Sequence, residues 1–192
     1  MDGLVGYARQ KILNPTLLEH LHSLKDKKSL ITIDGPAGSG KTTLAEEILN
    51  HFLNLDVNVV VIPMDDLYNG WGDALTETLS NRLLDIVSGF ESGEISYPLF
   101  DWHLGKYRKI RTFTAPTILI LEGVGSGQRC IREKTALSIW IDCDTDVALA
   151  RVITRDGEQI RPFMNQWMID QADHFTRENT QGAADYCIAG AP

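Results

Sequence analysis

A lysine and two hydroxyls close a glycine-rich stretch, "DGPAGSGKTT", at residues 34–43. Gly35, Gly38 and Gly40 fall close together, more glycine than a change of direction needs, which points to backbone brought near something large. Gly35 to Thr42 reads G-x-x-x-x-G-K-T. Between an apolar strand and an amphipathic helix, that pattern is a phosphate-binding loop. Its glycines let successive amides turn inward as an anion nest, and the next helix adds the positive end of its dipole. The pattern assigns Gly35, Ala37, Gly38, Ser39, Gly40, Lys41, Thr42 and Thr43 to a nucleoside triphosphate. Lys41 then reaches the β- and γ-phosphates while Thr42 offers its hydroxyl to Mg²⁺.

Such a loop needs a sheet to hold it. Short apolar runs recur at 29–33, 57–62, 117–121, 137–141 and 185–189, and all but the last are near-continuous, as in parallel strands covered on both faces. Between them lie stripes with helical spacing: Leu44, Ile48 and Phe52; Leu75, Leu79, Leu83, Ile86, Val87 and Phe90; Ile160, Met164, Trp167, Met168 and Phe175. Alternating strands and helices predict an α/β fold with a doubly wound parallel sheet, whose ligands bind beyond the carboxyl ends of the strands. The polar clusters fall there: the glycine-rich loop, "PMDDLY", "EGVGSG" and "DCDTD". Glu122 ends the third apolar run as an acid suited to Mg²⁺, directly or through water, or to pairing with Lys41.

The chain has 192 residues, 43% of them hydrophobic and 23% charged, enough for one α/β domain with a substantial core and no linker dividing it. Residues 29–192 carry that domain, and residues 1–28 read as a helical extension packed on it, with Leu17, Leu18, Leu21 and Leu24 at helical spacing. The N-terminus lacks an uninterrupted apolar core and so reads as neither a secretory signal nor a membrane span. The net charge of −8 and the absence of a basic run argue against nucleic acid as a partner. Cys130, Cys143 and Cys187 match neither a disulfide framework nor a zinc site and read as reduced thiols in a cytoplasmic protein. His20 and His22 lie on different helix faces and read as surface residues. Homo-oligomer formation stays open.

No N-K-x-D tetrapeptide for reading guanine is present, and a motor ATPase needs more chain, which leaves a small-molecule kinase. The loop, "VIPMDDLY", "FDW", "ILILEGV", "DCDTDVALARVITRD" and "AADYCIAG" occur in an order that resembles the uridine kinase and phosphoribulokinase family of P-loop kinases, over about Ser29 to Gly190. The resemblance implies a three-layer P-loop NTPase of nucleoside kinase-like type, with a five-stranded, mainly parallel sheet and helices on both faces. It implies ATP and Mg²⁺ as cofactors and a small-molecule hydroxyl as phosphate acceptor, most closely that of a uridine- or cytidine-like nucleoside.

Residue by residue, the resemblance implies that Asp65 is the general base and that Tyr68 helps hold the substrate, with Asp66 as the competing base. Asp101 of "FDWHLGKY" would bond the sugar hydroxyls between Phe100 and Trp102, whose other reading is a core-packed hairpin. Arg151 and Arg155 match two arginines of the family's phosphate lid, Arg151 toward the nucleotide and Arg155 toward catalysis; Ala148 and Val152 stand where two more would be, and Arg161 substitutes by position alone. The stretch between Tyr68 and Pro98 is shorter than in well-known uridine kinases, so pantothenate, a sugar or a sugar phosphate competes as acceptor. The other readings are a nucleotide-binding regulatory module with weak or no transfer and, more weakly, a nucleoside monophosphate kinase.

Overall fold

The computed structural model describes residues 13–190; residues 1–12 of the N-terminal extension lie outside the described residues. In chain order the elements are α1 (Pro15–Leu24), β1 (Ser29–Asp34), α2 (Lys41–Leu53), β2 (Val59–Pro63), α3 (Glu77–Ser92), β3 (Glu94–Asp101), β4 (Lys106–Thr114), β5 (Ile118–Glu122), α4 (Arg129–Arg132), β6 (Thr135–Asp142), α5 (Thr145–Asp156), α6 (Arg161–Glu178) and β7 (Tyr186–Ala189). Five strands make one sheet in the order β2-β5-β1-β6-β7, every pairing parallel.

The apolar runs form strands because both of their faces are covered. Successive residues of β1 and β5 enter opposite cores. Leu30, Leu119 and Leu121 pack with Leu79, Leu83 and Ile86 of α3 and Trp167 of α6. Ile31, Ile33, Ile118 and Ile120 pack with Leu17 and Leu21 of α1 and with Leu44, Ile48 and Phe52 of α2. The result is the expected three layers.

Register then sets the level of the site. Glu122 is the partner of both Ile33 and Pro63, and Asp34 is the partner of Trp140. The carboxyl ends of β1, β2 and β5 therefore stop together, and the loops that leave them share one edge of the sheet.

Three sequence expectations shift. β2 begins at Val59, two residues late, because Asp56 takes a positive φ of 56° and the Val57 amide bonds back to Phe52 O in the turn leaving α2. Leu75 precedes α3, whose cap is Thr76, its side chain accepting from the Thr78 amide. The stretch 94–114, outside the expected apolar runs, forms the antiparallel hairpin β3-β4, a second two-stranded sheet, in keeping with the alternative hairpin reading of "FDWHLGKY". No helix among the described residues is long and apolar enough to cross a membrane.

Candidate active site

The loop between β1 and α2 takes the shape that its glycines allow. Gly38 has φ +85°, and a side chain there would overlap the Ala148 carbonyl of α5. Gly40 has φ +98° and caps α2, so that Lys41, Thr42 and Thr43 form the first helical turn, whose amides have no partners within the helix. These residues, with Ala37, Gly38 and Gly40, line one wall of a cleft of about 480 Å³. Gly35 and Ser39 lie behind that wall. The loop is braced from α6, where buried Gln171 accepts a 3.0 Å bond from the Ala37 amide.

Asp34, the last residue of β1, fastens the loop to the turn after β5. Its buried carboxylate accepts bonds from the Gly35 amide at 2.8 Å, the Gly127 amide at 2.9 Å and the Gly125 amide at 3.0 and 3.1 Å. Burial raises its pKa to about 6, the Gly127 and Gly35 amides and the Lys41 charge pulling the other way. The glycines expected to give room to phosphates thus divide: Gly123 lines the cleft, while Gly125 and Gly127 serve this clasp.

Lys41, Asp65 and Glu122 meet in the cleft. Lys41 is 7% exposed and donates a 2.7 Å bond to Pro36 O. Burial lowers its pKa against the raising influence of Asp34, Glu122 and Asp65. The Glu122 carboxyl is raised by burial, with Lys41 opposing. Thr42 Oγ1 donates to its two oxygens at 3.3 and 3.4 Å, so the hydrogen bond to Glu122 comes from this hydroxyl and not from Lys41, the pairing partner expected for it. Asp65 follows β2 in a 3₁₀ turn, Met64–Asp66. Its carboxylate opens on the cleft, yet protein packed around it removes enough water to raise its pKa, Lys41 and Arg155 opposing. Asp66 does not line the cleft; its raised carboxyl senses Arg111 of β4.

The expected acceptor residues separate. Tyr68 lines the cleft by its ring only, because its buried hydroxyl donates a 2.7 Å bond to Val124 O. Trp102 lines it as well, its Nε1 donating to Asp65 O at 2.9 Å. Phe100 does not, and packs its ring on Trp102 and Tyr107. Asp101 does not line the cleft. It sits at the hairpin tip, where Oδ1 accepts from the amides of His103 and Leu104 and Oδ2 lies 3.6 Å from Arg108 Nη1. A carboxylate at the start of a tight turn bonds to its own backbone, and that is what Oδ1 of Asp101 does here.

Arg151 and Arg155 of α5 both line the cleft. Arg151 Nη1 lies 3.4 Å from Gly38 O, on the loop itself. Arg155 makes a two-pronged pair with Asp156, 2.8 Å on each prong, at the cleft rim. Arg161 instead pairs with Glu158 outside it.

Sequence reasoning passed over Asp34, Gln171 and Trp71, and read Trp167, Met164 and Ile160 only as helix stripe. Two signals were present. Asp34 is a carboxylate at the end of a wholly apolar strand, which is costly without partners. Gln171 and His174 continue the buried spacing of Met164 and Trp167 with polar side chains, and a polar group on a helix's buried face must bond to something.

Comparison with known proteins places these features in context. A family model for the NB-ARC domain matches residues 10–61, the stretch that contains the phosphate loop. The chain is 29% identical over 157 residues to the uridine kinase of Halobacterium salinarum, covering 72% of this chain and 68% of that one. It is 28% identical over 159 residues to the uridine kinase of Clostridium tetani, covering 72% and 75%. The fold superposes on the structure of a possible uridine kinase from Bacillus stearothermophilus with a TM-score of 0.62 at 18% identity, over 90% of this chain and 98% of that chain.

Proposed function

We propose that this chain is a P-loop phosphotransferase of the uridine kinase-like kind and that it transfers the γ-phosphate of ATP to a nucleoside hydroxyl of the uridine or cytidine kind, a reading supported by its similarity to uridine kinases. The observation that carries the reading is the meeting, in one cleft, of the Lys41 loop with Asp65 at the end of β2.

In the proposed reaction the β- and γ-phosphates lie on the loop amides and Lys41, with Arg151 and Arg155 closing from α5. Asp65 takes the proton of the acceptor hydroxyl as that oxygen bonds to the γ-phosphorus. The bond from phosphorus to the β,γ-bridging oxygen breaks, and ADP leaves. There is little covalent work for the protein here; position and charge carry the rate. The adjoining oxygens of Thr42 and Glu122 fit Mg²⁺, a hard cation that takes few protein ligands beside phosphate and water and that, when bound, offsets phosphate charge.

The test is ADP release with uridine or cytidine as acceptor. Asp65→Asn lowers turnover by about 10²- to 10⁴-fold, the usual span for a lost general base, with ATP affinity nearly intact, and Asp66→Asn costs far less. Because Asp65 must be ionised and its pKa is raised by its surroundings, turnover falls on the acid side at a higher pH than an ordinary carboxylate would set. A larger loss in Asp66→Asn than in Asp65→Asn would assign the base to the neighbour.

A further inference from the structure

A second cavity lies at Asp34, and it shares no lining residue with the cleft. It has a volume of about 10 Å³, and its walls include Thr32 and Asp34 of β1, Gly127 of the turn after β5 and Thr180 of the turn that leaves α6. Residues two apart on a strand share a face, so Thr32 and Asp34 look the same way. Gly127 has no left-handed backbone, yet a Cβ there would lie 2.7 Å from Thr180 Cγ2 and 3.3 Å from Asp34 Oδ2. Bare backbone at this position therefore lets Thr180 stand close to the carboxylate.

Thr180 is 4% exposed, and its hydroxyl has no hydrogen-bond partner among the described residues. A buried hydroxyl costs folding free energy unless something bonds to it. The remaining polar side chains of the wall are engaged elsewhere: Thr135 Oγ1 donates to Ile131 O, Ser138 Oγ to Asp185 Oδ2, and Arg132 Nη2 to Gly127 O and Glu178 O. A cation does not suit the place, because the amides of Gly35, Gly125 and Gly127 already turn their positive ends on the Asp34 carboxylate. Polar walls and room for about one water-sized sphere suit a single water molecule and nothing larger.

We propose that this cavity is a binding site for one structural water, which accepts a hydrogen bond from the Thr180 hydroxyl and donates one to the Asp34 carboxylate. The Thr32 hydroxyl is within the same wall as a third partner. The water ties the turn after α6, which leads into β7, to the carboxylate that fastens the phosphate loop. This link goes beyond the kinase reading and does not depend on which acceptor the chain takes.

A crystal structure of the full chain, at a resolution that shows ordered water, is expected to hold one peak about 2.7–3.2 Å from both Thr180 Oγ1 and an Asp34 carboxylate oxygen. The peak remains in Thr180→Ser and is absent from Thr180→Val. Thermal melting supplies a test of sign. Valine keeps the shape of threonine and removes only the hydroxyl, so loss of a water-held bond lowers the melting temperature by about 2–5 °C, whereas loss of an unpaired hydroxyl leaves it equal or higher. A melting temperature that holds or rises in Thr180→Val overturns the site. So does a map without the peak, or a peak ringed by oxygens at about 2.3–2.6 Å, the spacing of a hard cation such as Ca²⁺.

Discussion

Asp34 shows how a single carboxylate can set the shape of a catalytic edge. Three glycine amides from two loops converge on it, and an asparagine of the same shape must turn its NH₂ toward at least one of those donors. Asp34→Asn is therefore expected to loosen the phosphate loop and weaken ATP binding about tenfold, the order of one unpaired buried group. The same residue has a pH signature. Its folded pKa of about 6 lies above its ordinary 3.8, so between those values the folded state holds more protons than the unfolded state and stability falls as pH rises. The contribution is about 3 kcal/mol across that interval. His174 runs the other way, its pKa lowered by burial to about 4, so its contribution is lost as pH falls below about 6.5, and only the difference between variants isolates Asp34. Urea unfolding of both proteins at pH 4 and pH 7 checks it: relative to Asp34→Asn, the unsubstituted protein loses stability at the higher pH. A constant difference would mean that the glycine amides and Lys41 offset the burial of the carboxylate in full.

The hairpin β3-β4 is where one element steers another. Trp102 Nε1 donates to Asp65 O, and the Tyr107 hydroxyl donates to Leu67 O at 2.9 Å. Together they bracket the backbone of the turn that carries the proposed base. Tyr107 does not line the cleft, so Tyr107→Phe removes one bracket without touching any ligand. Its expected effect is a fall in kcat of about 2- to 10-fold with the ATP KM unchanged, the worth of one hydrogen bond. Unaltered kcat would show that the base turn holds itself. The sequence announced this element only as an alternative reading of "FDWHLGKY", and the reason is physical. On β4, Lys106, Arg108, Lys109, Ile110 and Arg111 all face water, so no burial period marks the strand, whereas β1 and β5, covered on both faces, are plain from their apolar runs. The same contrast governs the site. Residues 35–43 were readable because they form one contiguous loop, while Trp71, Trp102 and Trp167 meet only when three distant elements fold together. The turn bonds of Asp101 were not legible either, because a carboxylate suits a diol as well as it suits its own turn.

At the scale of the molecule, the sheet carries one core on each face, and α1 belongs to the face away from Tyr68, Trp71 and Trp167. Leu17 and Leu21 of α1 are fully buried among Ile31, Ile33, Leu137 and Ile139 of the central strands and Leu44 and Ile48 of α2. We therefore expect α1 to unfold with the sheet and not as a separate appendage. Leu21→Ala leaves a cavity that costs about 2–5 kcal/mol, a large share of the roughly 5–15 kcal/mol that holds a domain of this kind folded. If α1 and sheet are one cooperative unit, the urea midpoint drops while the slope of the transition stays the same, since the slope follows the surface exposed on unfolding. ATP at a hundredfold excess over its Kd is then expected to restore about 2.7 kcal/mol, although Leu21 does not line the cleft. A midpoint unmoved by Leu21→Ala, with early loss of helix signal alone, would mean that residues 15–24 can leave the sheet without cost to it. The paired urea curves, with and without nucleotide, separate these outcomes because only a shared transition lets a ligand at the Lys41 loop compensate a cavity beneath α1.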